Sequence, residues 1–294
     1  MKKVAIIGAN SYIAKNLARY LKEKYGERIS VFLYDIQSQD DTILRNYTKI
    51  DFDNPESLAN IDFSCDTIFF FTGLTGTKSG FDRYEEFIKV NETYLVRFLM
   101  AYISKKSKAK IVYPSSRLMY ASSDGLLKES SLKAFKSIYA VNKYAAEKYL
   151  EVFSNIYDIP YCVLRICVPY GSLSGIEPNY GTYEFFTKQA IENKQITVFG
   201  DGTSKRTFTH IIDICEVLIL AAENEKCLGV YNVGGEIKTL GELAKIIAKK
   251  HSATVKYIPF PKVDEKLEVK SSMFDSSRLD GLLKYSYRSI KDEE

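Results

Sequence analysis

The chain is poor in the features that most quickly betray a function. It has two histidines, His210 and His251, far apart in sequence, and its five cysteines, at 65, 162, 167, 215 and 227, form no CxxC pair. No zinc-ligand set can be assembled from that spacing. Several of the cysteines stand in apolar runs, which predicts buried free thiols in a reducing cytosol rather than a disulfide framework. No stretch approaches the ~18 apolar residues of a membrane helix, and the apolar run of MKKVAIIG is too short for a signal peptide. A soluble cytoplasmic protein with no membrane partner is expected. Charge of either sign is scarcely in excess: 41 basic and 37 acidic residues give +4, spread along the chain. That excess is too small to imply nucleic acid as a partner. The cluster Lys105, Lys106, Lys108, Lys110 reads as a solvated helix end.

What is present is apolar patterning. With 294 residues, 46% of them hydrophobic, the chain can bury the core of one large domain, or of a domain with an added lobe. Residues 4–7 form an apolar run that stops at Gly8, and a polar turn leads into a helical stretch over 13–24. That order sets a helix N-terminus at a strand's carboxyl end, where amide groups and the helix dipole favour a pyrophosphate. A second strand, 29–34, ends at Asp35, a little over twenty residues beyond the glycine turn. An acid there accepts hydrogen bonds from an unphosphorylated adenosine ribose and repels a 2′-phosphate, which favours NAD over NADP. Residues 66–72 are nearly continuous apolar, as in a strand covered on both faces. Gly73 follows and permits close backbone approach. Further strands are expected over 160–168 and 229–233, with helices over 211–222 and 240–250. Proline and glycine become denser through Gly175, Pro178 and Gly181, as at a crossing into another lobe. Alternating strands and helices predict an α/β fold, a doubly wound parallel sheet with a smaller C-terminal lobe.

The most informative stretch is 110–143. An apolar strand breaks at Pro114 into Ser115 and Ser116, and a helix is expected over 135–157. In that helix Tyr139 and Lys143 stand four apart, on one face and within about 6 Å at Cβ. A phenol beside an ammonium suits proton transfer to or from an alcohol coupled to hydride transfer. A tyrosine starts near pKa 10, so acting as a base at neutrality requires roughly 3 units of depression, about 4 kcal/mol. Lys143 and an oxidised nicotinamide supply a field of that sign, and Ser116 is placed to bond the same substrate oxygen. The YxxxK pattern also occurs at Tyr20/Lys24, Tyr102/Lys106, Tyr144/Lys148 and Tyr287/Lys291. Only the strand and serines upstream single out Tyr139.

With strand, serine, interval and helix read together, YPSSRLMYA followed by YAVNK resembles the extended short-chain dehydrogenase/reductase family, the NAD-dependent nucleotide-sugar epimerases and dehydratases. The resemblance covers nearly the whole chain. It implies a Rossmann domain from 1–168 and 207–235, and a nucleotide-sugar lobe from 169–206 and 236–294. It also implies NAD held by Gly8, Asn10, Ser11, Tyr12, Ile13, Asp35, Asp53, Phe71, Thr72, Gly73, Asn91, Tyr139 and Lys143. The catalytic set would be Ser116, Tyr139 and Lys143, with Arg117, Val168 and Arg206 on the substrate. Arg206 lies in FGDGTSKRTFTHIID, similar to the family's GDG...R..H..D pattern, and would hold a phosphate bidentately.

Two departures stand out. The glycine pattern GxxGxxG reads GANSYIA, with Ser11 and Ala14 for the second and third glycines, and Val168 replaces an asparagine that touches diphosphate in similar enzymes. Dehydratases and decarboxylases of this kind carry an acid directly after the serine or threonine. Here those positions are Arg117 and Leu118, neither a general acid at neutral pH. The expected activity is therefore C4 epimerisation of a nucleotide sugar, UDP-hexose first, and the resemblance also implies a homodimer. A 4-ketoreductase using the same residues, and an inactive nucleotide-binding protein on the same scaffold, are the alternatives.

Overall fold

The computed structural model describes residues 1–38, 46–173, 176 and 181–290, so Gly175, Pro178 and Lys291 lie outside the described residues. The strands are β1 (Lys3–Ile7), β2 (Ser30–Asp35), β3 (Tyr47–Lys49), β4 (Thr67–Phe70), β5 (Lys110–Ser116), β6 (Leu126–Leu127), β7 (Tyr161–Ile166), β8 (Val168–Tyr170), β9 (Gln195–Phe199), β10 (Lys205–His210), β11 (Gly229–Asn232), β12 (Glu236–Thr239), β13 (Thr254–Ile258) and β14 (Met273–Phe274). The helices are α1 (Tyr12–Tyr25), α2 (Pro55–Leu58), α3 (Ser79–Asp82), α4 (Tyr84–Ile88), α5 (Tyr94–Ser104), α6 (Ile138–Tyr157), α7 (Thr182–Asn193), α8 (Ile211–Glu223), α9 (Leu240–His251), α10 (Lys262–Leu267) and α11 (Ser277–Leu283).

Among the described residues, seven strands pair in the order β11-β7-β5-β4-β1-β2-β3. Every pairing is parallel, and one row runs from Leu33 through Ile6, Phe69, Val112 and Cys162 to Gly229. The apolar runs follow from burial on both faces. Ile6, Phe69 and Val112 pack with Leu17 of α1 and Leu218 of α8. Their neighbours Ile7, Ile68 and Ile111 point the other way, onto Phe98 of α5 and Leu150 of α6. The strand order reverses between β1 and β4, so a crevice opens beyond their carboxyl ends.

Helix α6 starts later than expected, because the Ser137 hydroxyl accepts from the Ala140 N–H and fixes the N-cap. The expected strand over 160–168 is two strands. β7 stays in the large sheet, whereas β8 joins a three-stranded sheet ordered β12-β10-β8. That small sheet covers a third core, in which Tyr170 and Phe208 meet Phe186, Leu243 and Ile247. Then α8 and β11 return to the large sheet. Lys110 corrects the reading of its cluster. Lys105, Lys106 and Lys108 are exposed, but Lys110 is buried at the start of β5, its ammonium donating to the Ala221 and Asn224 carbonyls at 2.6 and 2.8 Å. All five cysteines are buried free thiols. Among the described residues no helix is long and apolar enough to cross a membrane.

Candidate active site

The first wall of the site is the β1–α1 turn. Gly8 has φ +82°, and a Cβ there would stand 2.5 Å from the Thr72 nitrogen. Glycine is required because the turn presses on the end of β4, a packing reason as well as a dihedral one. The turn leaves the N-terminus of α1 uncapped: Ser11 has extended backbone, makes no side-chain cap bond, and no acid stands in the first helical turn. The Ser11 hydroxyl is buried with no hydrogen-bond partner among the described residues. A buried orphan donor beside the amides of a helix N-terminus fits an anion such as a pyrophosphate. The residues present therefore fit a dinucleotide, with serine standing where the family pattern has glycine.

Asp35 ends β2 with one oxygen on the Asn10 N–H at 2.9 Å and the other on the Gln37 N–H at 3.1 Å. Its carboxylate is thus held in place at the turn. Asp53 is farther out, paired with Lys89 at 2.7 Å and with Arg97 on the surface, which hold its carboxyl below the usual range. Thr72 and Asn91 are buried behind the cavity wall. Asn91 sits in a π-helical turn, Lys89–Thr93, and its side chain accepts from the Leu74 N–H at 2.6 Å, fixing the loop that begins at Phe71 and Gly73.

The second wall is the end of β5 with α6. Alternation along the strand splits the two serines. Ser115 turns inward and donates to Glu147 at 2.6 Å, whereas Ser116 faces the cavity and hydrogen-bonds Tyr139. Its hydroxyl also accepts from the Leu118 N–H at 3.2 Å. Lys143 lies one turn along from Tyr139, yet its ammonium is anchored on the Tyr113 hydroxyl and the Pro114 carbonyl, both at 3.0 Å. It also stands 4.4 Å from the Tyr113 ring centroid. Tyr113 was missed in the sequence, and its place inside an apolar strand gave no sign of a polar role.

Burial dominates the acid–base state. It pushes the Tyr139 phenol up to about 12, with only the Ser116 hydrogen bond acting the other way. The same burial drives Lys143 down to about 7, opposed by the charge of Glu147. The expected depression of Tyr139 by Lys143 is therefore not found in the protein alone, because removing both groups from water outweighs their proximity.

A cavity of about 470 Å³ joins these walls. Asn10, Ser11, Tyr12 and Ile13 line one end and Phe71 and Gly73 the roof, with Ser116, Tyr139 and Lys143 at the centre and Arg117 and Val168 towards the lobe. Gly181 and Thr182, at the start of α7, complete the lobe side. Tyr12 also ties the first wall to the chain just after β8, its hydroxyl donating to the Gly171 carbonyl. Gly8, Asp35 and Asp53 support or flank the cavity without lining it. Arg206 is likewise off the wall, buried against Glu268, with which it forms an ion pair. Arg117 reaches the same region and donates to the Ser272 hydroxyl at 3.2 Å. The four rival tyrosines lie outside the cavity lining.

Fold and site together define a class, a doubly wound α/β protein of the dinucleotide-binding kind with a Ser-Tyr-Lys set at its switch point. The chain belongs to the NAD dependent epimerase/dehydratase family, whose profile matches residues 4–234. It is 25% identical over 179 residues to YtcB of Bacillus subtilis (strain 168), an uncharacterized UDP-glucose epimerase. That match takes in 60% of this chain and 56% of the relative's length. A UDP-glucuronate 4-epimerase of Thermodesulfobacterium geofontis is 27% identical over 232 residues, 75% of this chain and 69% of that one. In fold the chain is similar to UDP-glucuronic acid 4-epimerase from Bacillus cereus, solved with UDP-glucuronic acid and NAD: TM-score 0.80, 23% identity, covering 99% of this chain and 96% of the other.

Proposed function

We propose that this protein is an NAD-dependent nucleotide-sugar 4-epimerase. The observation that carries the reading is the convergence of Ser116, Tyr139 and Lys143 on one cavity whose other end is the uncapped N-terminus of α1. Gly8, the Ser11 hydroxyl and the amides of the first turn of α1 would seat the pyrophosphate, and Asp35 the adenosine ribose, which disfavours NADP. Bound NAD supplies the hydride acceptor and a fixed positive charge beside the phenol.

Tyr139 takes the proton of the C4 hydroxyl as the C–H bond breaks, and Ser116 holds the same oxygen. Lys143 keeps its ammonium behind the phenol and so favours the phenolate. After the 4-keto sugar turns over, C4 would take the hydride back on its opposite face while Tyr139 returns the proton to the oxygen. Arg117 lines the lobe end of the cavity and Arg206 lies off its wall, and both would meet the diphosphate once Glu268 yields Arg206. Arg117 and Leu118 stand where related dehydratases and decarboxylases carry an acid, so elimination has no donor. Exposed apolar side chains on α5 (Met100) and α6 (Val141, Val152, Ile156) suit a dimer built through these two helices.

The test follows the hydride. An epimerase returns it to the carbon it left, so UDP-, dTDP-, GDP- or CDP-hexoses with substoichiometric NAD should give C4 epimers by NMR with no net change at 340 nm. Stoichiometric NADH consumption with a 4-keto-6-deoxy sugar, and no epimer from any 4-hydroxy sugar, would replace the reading with a ketoreductase.

A further inference from the structure

Behind the cavity runs a line of buried polar groups whose far end the reaction as described leaves unused. Tyr139, Lys143 and Glu147 repeat every fourth residue on α6, one helix face pointing into the sheet, and Glu147 is 2% exposed. The Glu147 carboxylate is fully engaged. One oxygen accepts from Ser115 at 2.6 Å and from the Arg165 Nε at 2.9 Å, and the other from the Arg165 terminal nitrogen at 2.5 Å. Arg165, on β7, also donates to the Tyr120 hydroxyl at 2.5 Å and to the Glu129 carbonyl at 3.0 Å. Glu147 thereby ties the strand that ends in Ser116 to the helix that carries Tyr139 and Lys143.

We propose that Glu147 is a positioning residue of the active site: its carboxylate, clamped by Arg165 and Ser115 one turn beyond Lys143, favours the ammonium form of Lys143 inside the protein. The surroundings of Lys143 require such a group. From β5 it meets the neutral Tyr113 hydroxyl and Pro114 carbonyl. From the cavity roof it meets the backbone of Gly73, where a Cβ would stand 3.7 Å from its nitrogen and 3.0 Å from the Asn91 oxygen. Glu92, on the π-turn, is engaged by Asn142 at 2.5 Å and by Tyr149 at 2.9 Å. The opposing cation is Arg165 on β7, already forked onto Glu147. Burial alone drives Lys143 towards its neutral form, and Glu147 is the charge that resists it. A neutral Lys143 would withdraw the field that favours a Tyr139 phenolate. The activity arm of this inference rests on the epimerase reading, whereas the titration arm does not.

The experiment titrates Lys143 in the full chain by NMR of isotope-labelled lysine side chains, with Lys143→Met to assign the resonance. Glu147→Gln leaves Arg165 buried and unpaired and is the variant most prone to unfold. The double variant Glu147→Gln/Arg165→Met removes both charges together and is the one to measure. Its Lys143 midpoint should fall by about 1 unit or more. In the epimerase assay the alkaline limb of kcat/KM should move down with it, kcat falling while KM for the nucleotide sugar holds. Glu147→Asp, which keeps the charge, should recover most of the wild-type midpoint. A folded double variant that titrates Lys143 at the wild-type pH, or an Asp variant no different from Gln, overturns the proposal and leaves Glu147 a purely structural anchor. Should no nucleotide sugar turn over, the epimerase reading fails while the lysine titration still decides this one.

Discussion

Tyr139 and Tyr144 stand on one helix, and five residues at 100° each turn their side chains about 140° apart. Tyr139 faces the cavity beside Ser116, whereas Tyr144 packs on the Phe135 ring at 5.2 Å and under the Lys148 ammonium at 5.5 Å. Tyr139→Phe should therefore cut turnover by about 10²- to 10⁴-fold with cofactor affinity within a few-fold. Tyr144→Phe should leave both nearly unchanged. Steady-state kinetics with calorimetric NAD titration checks this, and equal losses at the two positions would mean that the helix face is misassigned. Spacing and the upstream strand made this choice legible in the sequence. The anchor of Lys143 was not legible, because Tyr113 sits thirty positions away in an apolar run and only the packing of α6 on β5 brings the two together. Arg206 shows the converse: its motif is plain, but its pairing with Glu268 depends on a segment 62 positions downstream.

At the scale of elements, the β1–α1 turn was readable as a strand, glycine and helix, and the doubt lay in Ser11. The structure gives the substitution a physical sense. The serine takes up ordinary extended backbone, so no glycine is needed for its dihedral angles, and its hydroxyl is a buried donor with nothing to bond. A phosphate oxygen would satisfy it. Ser11→Ala should weaken NAD binding by about 5- to 10-fold, the worth of one hydrogen bond of roughly 1 kcal/mol, at little cost in melting temperature. Calorimetry reads both quantities, and an alanine variant that binds NAD as tightly as wild type would take the hydroxyl away from the phosphate. The break between β7 and β8 was hidden for a different reason. YCVLRICV is apolar throughout because both strands are covered, and coverage does not reveal which sheet a residue joins. Lys110 was hidden by its neighbours, since three exposed lysines made a fourth look solvated.

At the scale of the whole molecule the doubly wound sheet was the most legible feature, because two helical layers impose unbroken apolar strands. That same double burial sets how the cofactor-free protein should respond to pH. Asp62, Asp66 and Glu236 are held below the usual carboxylate range by hydrogen bonds and nearby lysines, so their stabilisation is lost as pH falls through those depressed values. Lys143 works in the opposite direction. Its folded value is about 7 against an ordinary 10.5, so between those limits the unfolded chain holds more protons and stability rises with pH. Lys133, down to about 8, adds to the same slope. Above pH ~9 the trend reverses. The Cys65 thiol is pushed up to about 12, and the Tyr102 and Tyr120 phenols likewise, so these groups ionise first in the unfolded chain. Stability should therefore peak on the alkaline side of neutrality, near pH ~8 to 9. Lys143→Met removes one proton's worth of the rising limb, about 1.4 kcal/mol per pH unit. At pH 7 it should stabilise the fold by on the order of 3 kcal/mol, after allowing for the two hydrogen bonds lost, while abolishing turnover. Urea denaturation of both proteins from pH 6 to 10 measures the slopes directly. Parallel curves would mean that Lys143 is not the buried charge the cavity carries at the expense of stability.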